Sequence, residues 1–105
     1  MHIVIGTETY QKEVKMLSRT EQEIINKLPS KLAENPYQGD PLSYKFLREK
    51  KIKGIRVYFL VYEDLKLVLL IAISSKKDQQ ATIDHIKNNL SEFRNVAEII
   101  IKQAF

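Results

Sequence analysis

The segment IRVYFLVYEDLKLVLLIAI, residues 55 to 73, contains two β-strand patterns joined by a short acidic turn. Residues 55 to 62 and 65 to 73 are rich in the β-branched, aromatic and aliphatic side chains that suit strands. YKFLREK, residues 44 to 50, supplies a third strand pattern just before them. Because short connections join all three, the sequence predicts an antiparallel meander at the centre of the fold.

The two faces of this meander differ in composition, since alternate side chains of a strand share a face. One face is wholly apolar and is expected to pack on helices; it carries Ile55, Val57, Phe59, Val61, Leu65, Leu67, Leu69, Ile71 and Ile73. The other face is mixed, with Arg56, Tyr58, Leu60, Tyr62, Lys66, Val68, Leu70 and Ala72. Neither a buried core nor a solvated surface explains that mixture well, so we expect function on the mixed face.

Helices are predicted both before and after the meander along the chain. HIVIG, residues 2 to 6, reads as a short strand, and Thr7 can cap the helix after it. Thr20 with Glu23 has the spacing of a capping box for a second helix, which Pro29 should kink or split.

The C-terminal segment SEFRNVAEIIIKQAF is predicted to be an amphipathic helix capped by Ser91. Its apolar stripe consists of Phe93, Val96, Ala97, Ile100, Ile101 and Ala104, and Ile99 and Phe105 widen it. The favoured interpretation is that this helix covers part of the sheet. A partner protein or a second copy of the chain could use the same stripe.

Length and composition predict one domain over residues 1 to 105 with no metal or cofactor. There is no cysteine, and His2 and His85 cannot build a zinc site alone. The longest apolar run, LVLLIAI, is far below the ~20 residues that span a bilayer, and no leader pattern is present, so we expect a cytoplasmic protein that does not enter membranes. A net charge of +4 favours nucleic acid or an acidic protein as partner.

Basic side chains from two separate segments should meet at one end of the sheet. The turn near Glu63 is short, so the two strands that it joins are antiparallel neighbours and the start of the first lies beside the end of the second. Arg56 is therefore expected beside the SSKK segment, residues 74 to 77, and the KKIKG linker lies at the same end. The converging residues are Arg48, Lys50, Lys51, Lys53, Arg56, Lys76 and Lys77. This convergence favours a site that binds phosphates. The alternative is that the lysines only keep the sheet edge soluble.

The order of these elements, with ENPYQGDPL before the meander, VYED at a strand end and SSKKD after the last strand, resembles the RelE/ParE toxin superfamily over residues 2 to 90. The resemblance implies an α+β fold with a short N-terminal strand, a helical hairpin, an antiparallel meander and C-terminal helices. It also implies the toxin of a type II toxin–antitoxin system, held inactive by an acidic antitoxin. RelE-like members cut messenger RNA on the ribosome, whereas ParE-like members poison DNA gyrase.

For the RNA-cutting branch, the resemblance implies a metal-independent endoribonuclease (mRNA interferase) in which the ribose 2′-OH attacks the scissile phosphate. Such an enzyme needs a proton acceptor, cations on the phosphate and a proton donor for the leaving oxygen. Matching the family's strand arginine, loop and basic corner assigns catalysis to Arg56, Lys76 and Lys53. The RNA contacts assigned with them are Arg48, Lys50, Lys51, Lys77, Tyr58 and Tyr62.

Several alternatives remain open at this stage. A second register puts Phe59 where the family has its arginine, and only Gln79, Gln80 and Thr82 follow the basic corner, where many members have Tyr or His. An altered nuclease, a gyrase inhibitor and a non-catalytic nucleic-acid-binding module are therefore all compatible with the sequence.

Four further side chains have two readings each. Glu49 could be a general base but is expected to be a salt-bridge partner, and His85 is expected at a helix surface or cap. Tyr58 and Tyr62 could stack bases or could pack under a helix.

Overall fold

The computed structural model of the protein describes residues 1 to 104, and its α+β class agrees with the prediction. The elements in chain order are β1 (Ile3–Gly6), α1 (Glu8–Lys15), α2 (Arg19–Ile25), α3 (Leu28–Glu34), β2 (Asp40–Leu42), β3 (Tyr44–Ile52), β4 (Ile55–Tyr62), a 3₁₀ turn (Glu63–Leu65), β5 (Leu67–Ser74), α4 (Gln79–Asn88) and α5 (Leu90–Ala104).

The sheet has the strand order β1-β5-β4-β3-β2, with β1 parallel to β5 and the other neighbours antiparallel. The predicted meander is therefore confirmed as β3, β4 and β5. The strand β2 was not predicted, because its three residues include Pro41 and follow a turn-rich segment.

Capping residues set the starts of the first two helices. Thr7 Oγ1 accepts a hydrogen bond from the Tyr10 amide, as predicted. The predicted capping box of Thr20 and Glu23 is wrong by two residues, because Ser18 is the extended residue whose hydroxyl accepts from the Glu21 amide while the Glu21 carboxylate accepts from the Ser18 amide. The predicted split at Pro29 is confirmed, since Pro29 lies in the first turn of α3.

A β-bulge corrects the predicted faces of β5. Tyr58 pairs with Ala72 but Phe59 pairs with Leu70, so one extra residue of β5 lies between these pairs and reverses the alternation. Val68 and Leu70 consequently pack in the core that contains Phe59. The residues wrongly assigned to that face are Leu65, which lies in the 3₁₀ turn, and Leu67, Leu69 and Ile71, which face the other way.

Both faces of the sheet are covered, which contradicts the expectation of an open mixed face. Helices α1 to α3 pack on what we call the N-terminal face, where the buried core contains Phe59 and Leu32. Helices α4 and α5 pack on the C-terminal face, through buried Ile83 and Ile86 and the partly buried side chains Leu90, Phe93 and Ile100. The C-terminal helix therefore covers the sheet, as the favoured interpretation held; Phe105 lies outside the described residues.

Within residues 1 to 104, no helix is both long enough and apolar enough to cross a membrane. The same residues contain no group of three or more His, Asp or Glu side chains arranged to hold a metal ion.

Candidate nucleic-acid interface

Strand pairing brings a row of basic residues to one end of the sheet. Lys51 pairs with Arg56, and Arg56 pairs with Ser74, directly before the Ser75–Lys77 corner. The connection between β3 and β4 is the two-residue turn Lys53–Gly54, in which φ is 48° and 82°. Positive φ at both positions is typical of a type I′ hairpin, whose twist matches that of the strands it joins.

We call the cluster formed by Lys51, Lys53, Arg56, Lys76 and Lys77 the basic edge. Its four lysines are exposed, and Arg56 is partly buried. Among the described residues, none of the five forms a salt bridge. The edge therefore carries uncompensated positive charge, which suits a polyanion.

Arg48 and Lys50 do not belong to the basic edge, although the sequence predicted their convergence with it. Arg48 is buried, and its guanidinium donates to the carbonyl oxygens of Gln38 at 3.0 Å, Lys45 at 2.9 Å and Gly39 at 3.1 Å. Arg48 thus fixes the turn that leads into β2. Lys50 pairs with Val57 and projects from the N-terminal face beside α2 and α3.

Tyr58 and Tyr62 both pack beneath the C-terminal helices. Tyr58 is fully buried, with its hydroxyl 2.8 Å from Ser74 Oγ, so its ring has no free face for a base in this conformation. Tyr62 lies near the opposite end of β4, where the Arg94 guanidinium stands 5.4 Å from its ring centre. Burial raises the pKa of Tyr62 to about 12, and its hydroxyl has no hydrogen-bond partner among residues 1 to 104.

Glu49 is the site residue that sequence reasoning undervalued. Its side chain is buried, with only 2% of the residue exposed, and Oε2 accepts a 2.7 Å hydrogen bond from Gln79 Nε2. The expected salt bridge is absent among the described residues. A buried carboxylate that is not ion-paired is uncommon in proteins.

Glu49 and Arg56 are diagonal neighbours on the C-terminal face. Glu49 pairs with Tyr58, and Lys51, two residues along β3, pairs with Arg56. The Nε atom of Arg56 is buried and has no hydrogen-bond partner within the described chain. A carboxylate that can accept a proton therefore lies near a guanidinium that has donor capacity left. The signal that could have found this pair is the alternation of β3, which puts Glu49 and Lys51 on one face.

A cleft of about 570 Å³ adjoins the basic edge on the N-terminal face, next to the Lys53–Gly54 turn. Glu13 lines it and accepts a 3.1 Å hydrogen bond from the Ile73 amide. Burial raises the pKa of Glu13, while that hydrogen bond lowers it by less.

His85 lies on the exposed surface of α4, as expected. Its Nδ1 is 3.3 Å from the Asn89 side-chain nitrogen, and its ring meets Phe93 edge-on. The second register considered above matches Phe59 to the family's strand arginine. Phe59 is fully buried on the N-terminal face, so that register would put the arginine position in the core.

No protein-family model matches the chain. No curated protein sequence matches it either.

Solved structures of toxins do match its fold. A chain of the intact Escherichia coli RelBE toxin–antitoxin complex superposes with a TM-score of 0.65 at 19% identity, covering 71% of this chain and 96% of that one. A chain of the Mycobacterium tuberculosis RelBE2 complex gives 0.64 at 14% identity, over 71% and 98%. A free double-arginine mutant of E. coli RelE gives 0.67 at 16% identity, over 80% and 90%. The protein therefore has the RelE fold, which agrees with the resemblance seen in its sequence.

Proposed function

We propose that this protein is the toxin of a type II toxin–antitoxin system and cuts messenger RNA on the ribosome, in the cytoplasm. The observation that carries the proposal is the basic edge with Arg56 beside the buried carboxylate of Glu49. The RelE fold supports it, since the similar structures are RelE toxins and RelBE toxin–antitoxin complexes.

In the proposed reaction Arg56 and Lys76 bind the scissile phosphate. A guanidinium suits this role because it offers several donors, and Arg56 is only partly buried. Lys51 and Lys77 extend the positive field along the RNA. Arg48 and Lys50, which lie apart from the edge, have no part in the phosphate site.

Proton transfer is assigned to Glu49 and Lys53. Glu49 takes the proton of the ribose 2′-OH, the 2′-oxygen bonds to phosphorus, and the bond from phosphorus to the 5′-oxygen breaks. Lys53 gives its proton to that 5′-oxygen. The products are a 2′,3′-cyclic phosphate and a 5′-hydroxyl end, so atoms and charge balance without a metal. Glu49 must first lose its contact with Gln79, because that amide covers the carboxylate.

The proposed antitoxin is a short acidic protein, partly helical, that binds the basic edge and the outer side of α5. Its carboxylates would neutralise Lys53, Arg56 and Lys76, which blocks the phosphate site. Val96 and Ile99 on α5 remain 39% and 54% exposed and offer apolar contacts. A homodimer would compete for the same stripe.

Primer extension on translated messages tests the nuclease with the variants Arg56→Ala and Lys76→Ala. Codon-dependent cuts should appear with the natural protein and disappear with both variants. Lys66→Ala is the matched control, because Lys66 is 65% exposed and precedes β5, at the opposite end of that strand from Ser74 and Lys76. Unchanged cutting by both edge variants would refute the site.

Two further assays separate the rival functions. Inhibition of gyrase supercoiling without RNA cleavage would identify a gyrase inhibitor instead. A message with deoxyribose at the cut position should bind but resist cleavage, whereas a non-catalytic binding module would not cut either message. If a small acidic protein is encoded directly beside this one, co-expression of the two should give one co-eluting complex and restore growth; separate elution without rescue would refute that protein as the antitoxin.

A further inference from the structure

Two aromatic side chains are stacked on the surface where β3 begins. The rings of Tyr44 and Phe46 lie 4.9 Å apart between centres, with planes only 13° from parallel. They are 43% and 38% exposed, and they are the two exposed members of the Phe and Tyr residues within residues 1 to 104. The pair lies outside the basic edge.

One lysine lies close to this pair. Lys87 of α4 donates a 2.8 Å hydrogen bond to Ser43 Oγ, directly before Tyr44. Lys45, between the two aromatics in sequence, projects from the opposite face of the strand and holds its Nζ 5.0 Å from the ring centre of Tyr37. Lys87 forms no salt bridge with any described residue, so its charge is not neutralised by a described carboxylate.

We propose that Tyr44 and Phe46 form a stacking platform for an unpaired base of single-stranded RNA, with Lys87 contacting a phosphate beside that base. Every base has a π-face, so a base can extend an existing aromatic stack whatever its identity. Exposed stacked aromatics with an unneutralised lysine beside them are a combination that single-strand binders use, whereas an apolar protein contact would not need the cation.

The platform rests on the proposed function, because it adds a second contact to the RNA that the basic edge would cut. Tyr44 and Lys51 are at opposite ends of the same strand, seven residues apart, which corresponds to about 23 Å. One short single strand can therefore reach both sites. The platform would raise affinity and fix the strand without choosing a base.

The test uses an oligoribonucleotide with a single 2-aminopurine, whose fluorescence is quenched on stacking, placed in turn at each position. The full-length natural protein is compared with the double variant Tyr44→Ser/Phe46→Ser. We expect quenching at one position, lost in the double variant, and binding weaker by about 5- to 150-fold, the range for one stacked base. The matched control is Ile3→Ser, which changes an exposed apolar side chain of β1 at the other edge of the sheet and should retain both.

The outcomes separate this proposal from the nuclease. Cutting of translated messages with no quenching at any position would overturn the platform and leave the nuclease standing. Quenching with no cutting would support the platform and overturn the nuclease. If the double variant binds RNA normally but loses the antitoxin, the pair is a protein contact and the proposal is wrong. Thermal unfolding of each variant checks that it is folded, and Tyr44→Phe should retain the quenching if the double variant does not fold.

Discussion

Gln79 Nε2 donates a 2.7 Å hydrogen bond to Glu49 Oε2, and this bond joins the first turn of α4 to the middle of β3. The bond satisfies one oxygen of a carboxylate that is removed from water. It also places the Gln79 side-chain amide against the carboxylate that we propose as the proton acceptor. Stability and the proposed proton transfer therefore involve the same contact.

The first prediction concerns Glu49→Gln. The substituted amide oxygen can still accept from Gln79, so the fold should be preserved, but the side chain can no longer take a proton. Single-turnover cleavage of a ribosome-bound message should slow by about 10²- to 10⁴-fold, the usual contribution of a general base. Thermal unfolding should be little changed. Cleavage at the natural rate would mean that Glu49 is only structural.

The second prediction concerns Gln79→Ala, which leaves the buried Glu49 carboxylate without its partner. The free energy of unfolding should fall by about 1–3 kcal/mol, because an unsatisfied buried group bears its full desolvation cost. Urea denaturation measures this change. Gln80→Ala is the matched control: within residues 1 to 104 the Gln80 side chain bonds to the exposed Asp84 alone, and its loss should change stability by less than about 0.5 kcal/mol. Equal effects of the two variants would contradict this role for Gln79.

The sequence predicted the meander and the meeting of Lys53, Arg56 and Lys76 because local patterning and a short turn determine both. The sequence could not predict the bulge in β5 opposite Tyr58 and Phe59. All residues near that point of β5 are apolar, so an extra residue does not change the composition pattern. The face assignments of β5 failed for that reason.

Arg48 and Glu49 show the second limit of the sequence. Both lie in a charged segment that is typical of a solvated surface, yet both are buried. Arg48 donates to three backbone carbonyls, and Glu49 accepts a hydrogen bond from Gln79 of α4. Burial of a charge depends on residues far away in sequence, such as Gln79. The exposed lysines of the same run needed no such partner, and their place could be predicted.

The third prediction concerns the buried hydroxyl of Tyr62. Burial raises its pKa from 10.0 to about 12, so the folded state favours the neutral phenol. The stability that this preference contributes is fully present below pH 10 and should be lost as pH rises through 12. Tyr62→Phe should flatten the fall of Tm over this window. At neutral pH the variant should be as stable as the natural protein or gain about 1 kcal/mol, since the hydroxyl has no hydrogen-bond partner in the described part of the chain. A steeper alkaline fall in the variant would refute this assignment.

The last prediction compares two glycines of positive φ that flank the site. Gly39 has a φ of 77° and Gly54 a φ of 82°, so alanine is strained at both. A Cβ at Gly54 meets nothing within 4 Å, whereas a Cβ at Gly39 collides with the backbone carbonyl of Glu49. Gly54→Ala should therefore cost about 1–2 kcal/mol of unfolding free energy, the strain alone.

Gly39→Ala should cost more than Gly54→Ala, because β2 must also move away from β3. That movement displaces the backbone of Glu49 and the Gly39 carbonyl that accepts from Arg48, so RNA cleavage should fall together with stability. Urea denaturation gives the first quantity and single-turnover cleavage the second, under conditions where both variants are fully folded. If the two alanine variants lose equal stability and cut equally fast, the close contact between Gly39 and Glu49 does not position the proposed proton acceptor.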